Sequence, residues 1–119
     1  MLAVGSSELN VINIYKSPST IPPTFFMDDL RSIFDDKKET IIVGDFNICF
    51  REENNHQIIK LLKSMKFDQK IMSPTHVQGR YIDHVYHYLP NPDENTTAVD
   101  VLQFGQFFTD HDMLLVAIP

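Results

Sequence analysis

The chain is expected to fold as an α/β protein of the α+β kind, a mainly antiparallel or mixed sheet with two flanking helices. Short β-rich runs bounded by Gly, Pro, Ser and Asn form the first sign, Leu9 to Tyr15 and Ile41 to Val43 foremost among them. The second sign is apolar residues at helical spacing, in Phe26, Leu30, Ile33 and Phe34 and again in Ile58, Leu61, Leu62 and Met65. Mixed strands plus two helices imply layers packed on a shared core.

In order along the chain, Leu2 to Val4 followed by Gly5-Ser6-Ser7-Glu8 reads as a strand end and its turn. Leu9 to Tyr15 is a strand by its β-branched enrichment, and Ser17-Pro18-Ser19 with Pro22-Pro23 makes a loop. Thr24 is the expected N-cap of a helix running to about Asp35, with Lys37-Lys38 placed to suit the helix dipole. The Ile41 to Val43 strand ends abruptly in Gly44-Asp45-Phe46-Asn47. A polar loop, Arg51 to Asn55, leads to the second helix, where Asn54 and Gln57 have capping-box spacing. Further strands are expected near Lys70 to Met72, Tyr81 to Tyr88, Val99 to Phe104 and Met113 to Ile118, with Pro90 to Asn95 a solvated loop.

At 119 residues, 43% hydrophobic and 22% charged, the chain has an ordinary globular composition and suits one domain. Cys49 is alone, so no internal disulfide can form, and an intracellular setting, the nucleus included, is expected. The start lacks the pattern of a secretion signal and no stretch reaches membrane-spanning length, so the sequon at Asn95 carries little meaning. Ten Lys plus Arg against sixteen Asp plus Glu give a formal charge of −6. A protein that grips nucleic acid mainly by neutralising phosphates is usually basic. Action on phosphate esters would here run through bound cations or a locally basic face, with carboxylates at strand ends holding the cations.

Three segments carry the chemistry. Asp45 and Asn47 lie two apart, so extended backbone would project them to one side, a carboxylate beside an amide suited to orienting a water at a phosphoryl group. An Asp/Asn turn capping a strand explains the same letters. Asp83 interrupts an apolar, aromatic strand, which is costly unless the carboxylate is paired or faces a cleft. A histidine is its natural partner: His84 and His87 are near in sequence, but alternation turns His84 away, and His111 in Asp110-His111-Asp112 is the better choice. The competing readings are an edge-strand Asp and a polar turn before a strand. Tyr15 ends the first clear strand, where a packing role competes with a phosphate contact. Lys60, Lys63 and Lys66 form a row off the helix stripe, a solvated face or a contact to nucleic-acid phosphates. His56 and His76 have no motif context.

Taken in order, Asn13-Ile14-Tyr15 with Pro18, Gly44-Asp45-Phe46-Asn47, Ile82-Asp83-His84-Val85 and Thr109-Asp110-His111-Asp112 resemble the later motifs of the endonuclease/exonuclease/phosphatase family. That family spans pancreatic-type deoxyribonucleases, abasic-site and retroelement endonucleases, inositol polyphosphate phosphatases and sphingomyelinases. The Gly79-Arg80-Tyr81-Ile82-Asp83-His84-Val85-Tyr86 run most resembles endonuclease domains of retrotransposons and Helitron-type transposons. The resemblance implies a four-layer α/β sandwich of which residues 1–119 form the C-terminal part, without the N-terminal half that bears the family's early Asn and metal-binding Glu. It implies a truncated domain with one sheet face uncovered, prone to pair with the missing half or with itself.

By the same resemblance, Asp45 would orient or deprotonate the attacking water with help from Asn47, and Tyr15 would contact the scissile phosphate. Asp110 would help hold a magnesium or manganese ion, weakly in this chain alone. His111, oriented by Asp83, would stabilise charge on the phosphoryl oxygens. Ser19 stands where many members carry an Asn in the Tyr-x-x-Pro loop. The implied activity is metal-dependent phosphodiester hydrolysis of DNA, weak or absent in the chain alone. The alternatives are a non-catalytic remnant or interaction module and, within the lineage, a small-molecule or lipid phosphatase.

Overall fold

A computed structural model describes residues 2–5, 9–16, 23–49, 51, 56–91, 99–105 and 110–117. Its elements are β1 (Leu2–Gly5), β2 (Leu9–Tyr15), α1 (Pro23–Ile33), β3 (Glu39–Asp45), α2 (Gln57–Ser64), β4 (Asp68–Gln69), β5 (Asp83–Tyr88), β6 (Asp100–Phe104) and β7 (Met113–Ala117). Two helices with one mixed and one antiparallel sheet make this an α+β fold, as expected. The five-stranded sheet has the order β1-β2-β3-β5-β4, and β6 and β7 form a separate pair. Among the described strands only β2 and β3 run parallel, linked through α1; β3 and β5 are antiparallel with Asp45 opposite Asp83. Among the described residues, no helix is long and apolar enough to cross a membrane.

Strand alternation divides the apolar residues between the two faces of the large sheet. One face carries Ile12, Ile14, Ile42, Tyr86 and Tyr88, and both helices pack on it through Leu30, Ile58, Ile59 and Leu62. Phe46 lies at the centre of that layer with no solvent exposure, its ring stacked on His84 at 4.5 Å. The other face carries Ile41, Val43 and Val85, and the β6–β7 pair lies against it through Val101, Leu114 and Val116. The face expected to be bare is therefore covered at its centre. The outward side of β6–β7 is exposed, and there Leu102, Phe104 and Leu115 alternate with the inward residues.

Several local expectations are corrected. Pro23 opens α1, so Thr24 is inside the helix and no longer its cap; proline at the first helical position loses no hydrogen bond. The helix ends at Ile33, and Lys37-Lys38 fall in a turn where the Lys37 amide donates to Asp35 Oδ1. Ile33 faces solvent at 37% exposure, off the buried stripe. His56 caps α2, its Nδ1 accepting the Ile58 amide at 3.1 Å, so Gln57 is the first helical residue and cannot serve a capping box with Asn54, itself outside the described residues. The strand expected at Lys70 to Met72 is instead Asp68–Gln69, because those two residues pair with His87 and Tyr86. The Ser17 to Pro22 loop and the Asn95 sequon also lie outside the described residues.

Candidate active site

Close approach of β2 to β3 sets the position of Asp45. Gly44 has φ +151° and lies against Ile14, whose carbonyl oxygen a Cβ there would meet at 1.8 Å. Only glycine fits, and it lets β3 reach its C-terminal edge with Asp45 opposite Tyr15 on one side and Asp83 on the other. All three then project from the face that carries Val43 and Val85, the side away from the helices. The chain leaves this edge through a tight turn. Asn47 has φ 49°, its amide N–H donates to Asp45 Oδ1 at 3.0 Å, and its side-chain nitrogen donates to the Lys16 carbonyl at 2.5 Å. Of the two geometries the sequence allowed for Asp45 to Asn47, an extended pair and a turn, the turn is formed, and in it Asn47 orients Asp45 and ties the exit of β2.

His111 arrives from the far end of the chain. The loop before β7 pairs with the loop before β5: Val77 N–H donates to Asp110 O at 2.9 Å and Asp112 N–H to Thr75 O at 2.7 Å, forming a bridge between His76 and His111. Gln103 secures it from β6, its side-chain nitrogen donating to Asp112 Oδ2 at 2.7 Å and to Pro74 O at 2.6 Å. Thr75, fully buried, accepts the Asp83 amide at 3.1 Å and so joins the same loop to β5. These long-range bonds bring His111 Nδ1 to 2.8 Å from Asp83 Oδ2, with Nε2 3.9 Å from Asp45 Oδ2. Asp45, Asp83 and His111 converge. His84 turns into the helix-covered core, its Nε2 donating toward the Ile48 and Tyr81 carbonyls, and His87 bonds Glu39 at 2.8 Å.

The electrostatics follow from this packing. The Asp83 hydrogen bond is the chief reason the His111 pKa lies above its ordinary 6.5, with Asp45 and Asp110 adding attraction against some burial cost. Burial is the chief cause raising Asp45 above its ordinary value, opposed by the Asn47 amide. Asp110 is lowered by its own backbone amide and by His76, whose Nε2 lies 3.0 Å from Asp110 Oδ2. His76 is the site residue that sequence reading passed over. The only signal was its place in Pro74-Thr75-His76, just before the Gly79 to Asp83 run, and nothing in that spacing announces a pairing with residue 110.

Tyr15 is 71% exposed, one strand from Asp45 on the same side of the sheet. Lys60 and Lys63 are exposed on α2, whose buried residues pack on the opposite face, so the structure does not bring them to this cluster. Among the described residues, two groups of potential metal ligands share His111: Asp45, Asp83 and His111, and His76, Asp110 and His111. Magnesium takes few carboxylates and several waters. Asp110 offers such an ion one exposed carboxylate, through the oxygen not bonded to His76, so the described residues supply part of a loosely held site. Comparison of the chain with family models, curated proteins and solved structures finds no match, so the functional reading rests on the geometry of the site.

Proposed function

We infer that the chain carries the acid–base and phosphoryl-facing part of a divalent-cation-dependent phosphodiesterase site, an endonuclease acting on DNA. The observation that carries this reading is the imidazole of His111 held by Asp83 at 2.8 Å while its other nitrogen faces Asp45 at 3.9 Å. Phosphoryl transfer needs positioning and charge stabilisation more than a covalent nucleophile. Asp45, kept basic by its raised pKa, accepts a proton from an attacking water held beside it. Asp83 fixes the His111 tautomer, so that Nε2 presents a proton to a phosphoryl oxygen when the ring is charged. Tyr15 stands at the rim for a phosphate contact, and Asn47 keeps the Asp45 carboxylate aimed. A magnesium ion held at Asp110 would neutralise charge developing on the phosphoryl oxygens.

The groups of potential metal ligands among the described residues contain no glutamate. Nicking of supercoiled plasmid DNA by the chain with magnesium is therefore expected to match that of a His111→Ala control. Joining an N-terminal half that supplies a metal-binding Glu is expected to produce His111-dependent nicking. Absence of rescue in a fusion whose Asp83–His111 bond is intact by NMR removes the hydrolase reading. A second reading, an interaction module without catalysis, draws on the exposed Leu102, Phe104 and Leu115 on the outer side of β6–β7.

A further inference from the structure

The donor set around Asp110 is richer in nitrogen than a magnesium site requires. His76, Asp110 and His111 each offer one ligand atom, and these atoms all lie within 4.8 Å of one another. Two imidazoles and one carboxylate are the ligands of borderline transition ions, whereas magnesium prefers oxygen alone. Three further features belong to a built site. The backbone bridge between His76 and His111 fixes the spacing of the two rings, whose centroids are 5.1 Å apart. Asp83 bonds Nδ1 of His111, the outer carboxylate that orients metal-binding histidines and raises their basicity. Asp110 is exposed over 61% of its side chain while His76 keeps 12%, so one wall is held in place and the other opens to solvent.

The geometry points to a second metal site, for a zinc-class divalent ion, formed by His76, Asp110 and His111 with water completing the coordination. Binding replaces the 3.0 Å hydrogen bond between His76 Nε2 and Asp110 Oδ2 by coordination and gives up a weak contact besides. His76 Nδ1 now accepts the Gln78 amide at 3.2 Å, and coordination through Nε2 moves the ring proton to Nδ1, leaving that amide to solvent. The ion also occupies His111, so it withdraws that imidazole from a phosphoryl group. Zinc is thus an inhibitor of the magnesium-supported reaction. The binding claim stands by itself; the inhibitory consequence rests on the proposed hydrolase function.

Cobalt(II), a spectroscopic stand-in for zinc, tests the binding claim on the purified, chelator-treated chain. One equivalent is expected to produce the intense visible absorption of a four- or five-coordinate ion. His76→Ala and Asp110→Ala are each expected to weaken binding at least about tenfold, as is Asp83→Asn through its outer-shell bond. His76→Gln, which can still reach Asp110 by hydrogen bond, guards against misfolding: circular dichroism should match the parent while cobalt affinity falls. His56→Asn, which keeps a side-chain cap on α2, should bind as the parent does. Weak absorption like that of the hydrated ion, or unchanged affinity in His76→Gln, overturns the site. In the fusion assay, zinc should inhibit nicking and His76→Gln should relieve the inhibition. Nicking without cobalt binding removes this site and keeps the hydrolase; cobalt binding without nicking in the rescued fusion keeps the site and removes the hydrolase.

Discussion

Replacing Asp83 by Asn keeps the shape of the side chain and removes its charge. The amide oxygen can still accept from His111 Nδ1, so the substitution isolates the electrostatic share of the 2.8 Å bond. A neutral hydrogen bond contributes about 1 kcal/mol and one to a charged group about 1.5–3 kcal/mol. His111 keeps 33% and Asp83 14% of their side-chain surface in solvent, which screens the upper end of that range. The carboxylate keeps the bond charge-assisted in both states, worth about 2.5 kcal/mol with the imidazole charged and about 1.5 kcal/mol with it neutral. The sign of the pH dependence is fixed by the direction of the shift. The folded pKa of His111 is raised, so the extra stability is complete below the unfolded value of 6.5 and disappears as pH rises through the folded value. Urea unfolding of parent and Asp83→Asn at about pH 5.5 and about pH 8.5, on either side of the histidine range, measures the difference. The variant should lose roughly 1 kcal/mol more at the acid end. Relief of repulsion between Asp83 and Asp45 is greater at the alkaline end, where Asp45 with its raised pKa is the more fully ionised, so it acts in the same direction. Equal losses at the two pH values, or a larger loss at the alkaline one, would refute the reasoning.

Asp45→Asn should move stability the other way. An acid whose folded pKa is raised, here chiefly by burial, weakens the fold once pH passes its unfolded 3.8, so the variant should gain about 0.5–1 kcal/mol near neutrality by calorimetry while losing any rescued nicking. Gly44→Ala drives a Cβ into the Ile14 carbonyl and should cost more than about 3 kcal/mol or abolish soluble expression; a variant within about 1 kcal/mol of the parent would show that β2 and β3 are not so close. Asn47→Gly accepts the positive φ but loses the tie to Lys16, whereas Asn47→Ala loses both; glycine should be the less damaging by about 1 kcal/mol in urea unfolding. Gel filtration should show self-association through the outer side of β6–β7, reduced in the double variant Leu102→Lys, Leu115→Lys; a clean monomer at high concentration would count against that surface.

How much of this was legible beforehand depends on the range of the interaction. Asp45 and Asp83 could be placed because period-two alternation and an apolar run identify β3 and β5, and antiparallel pairing then sets the two carboxylates side by side. His111 was identified as the partner of Asp83 by excluding His84 through that alternation, and the core position of His84 bears the exclusion out. For Asp45 and Asn47 the sequence allowed both an extended pair and a turn, and spacing alone could not choose between them, because it does not reveal the positive φ that Asn permits. The role of His76 depends on two loops meeting across 34 residues of sequence, held by Thr75, Gln103 and Asp112, and no local pattern encodes that meeting. The short β4 escaped for a related reason. Its two polar residues are strand only because β5 lies beside them, while the more apolar Ile71 is buried beyond the pairing. The Lys60 and Lys63 row was placed correctly on a helix surface, but which sheet face that helix covers was not contained in its own periodicity.

Histidine titration by long-range nitrogen–proton NMR tests the central arrangement most directly, since each of the five imidazoles can be followed separately. His111 is expected to titrate above 6.5, to carry its proton on Nδ1 when neutral, and to drop in pKa in both Asp83→Asn and Asp45→Asn. A His111 that titrates at or below 6.5, or that neither substitution moves, contradicts the convergence of these three side chains on one site.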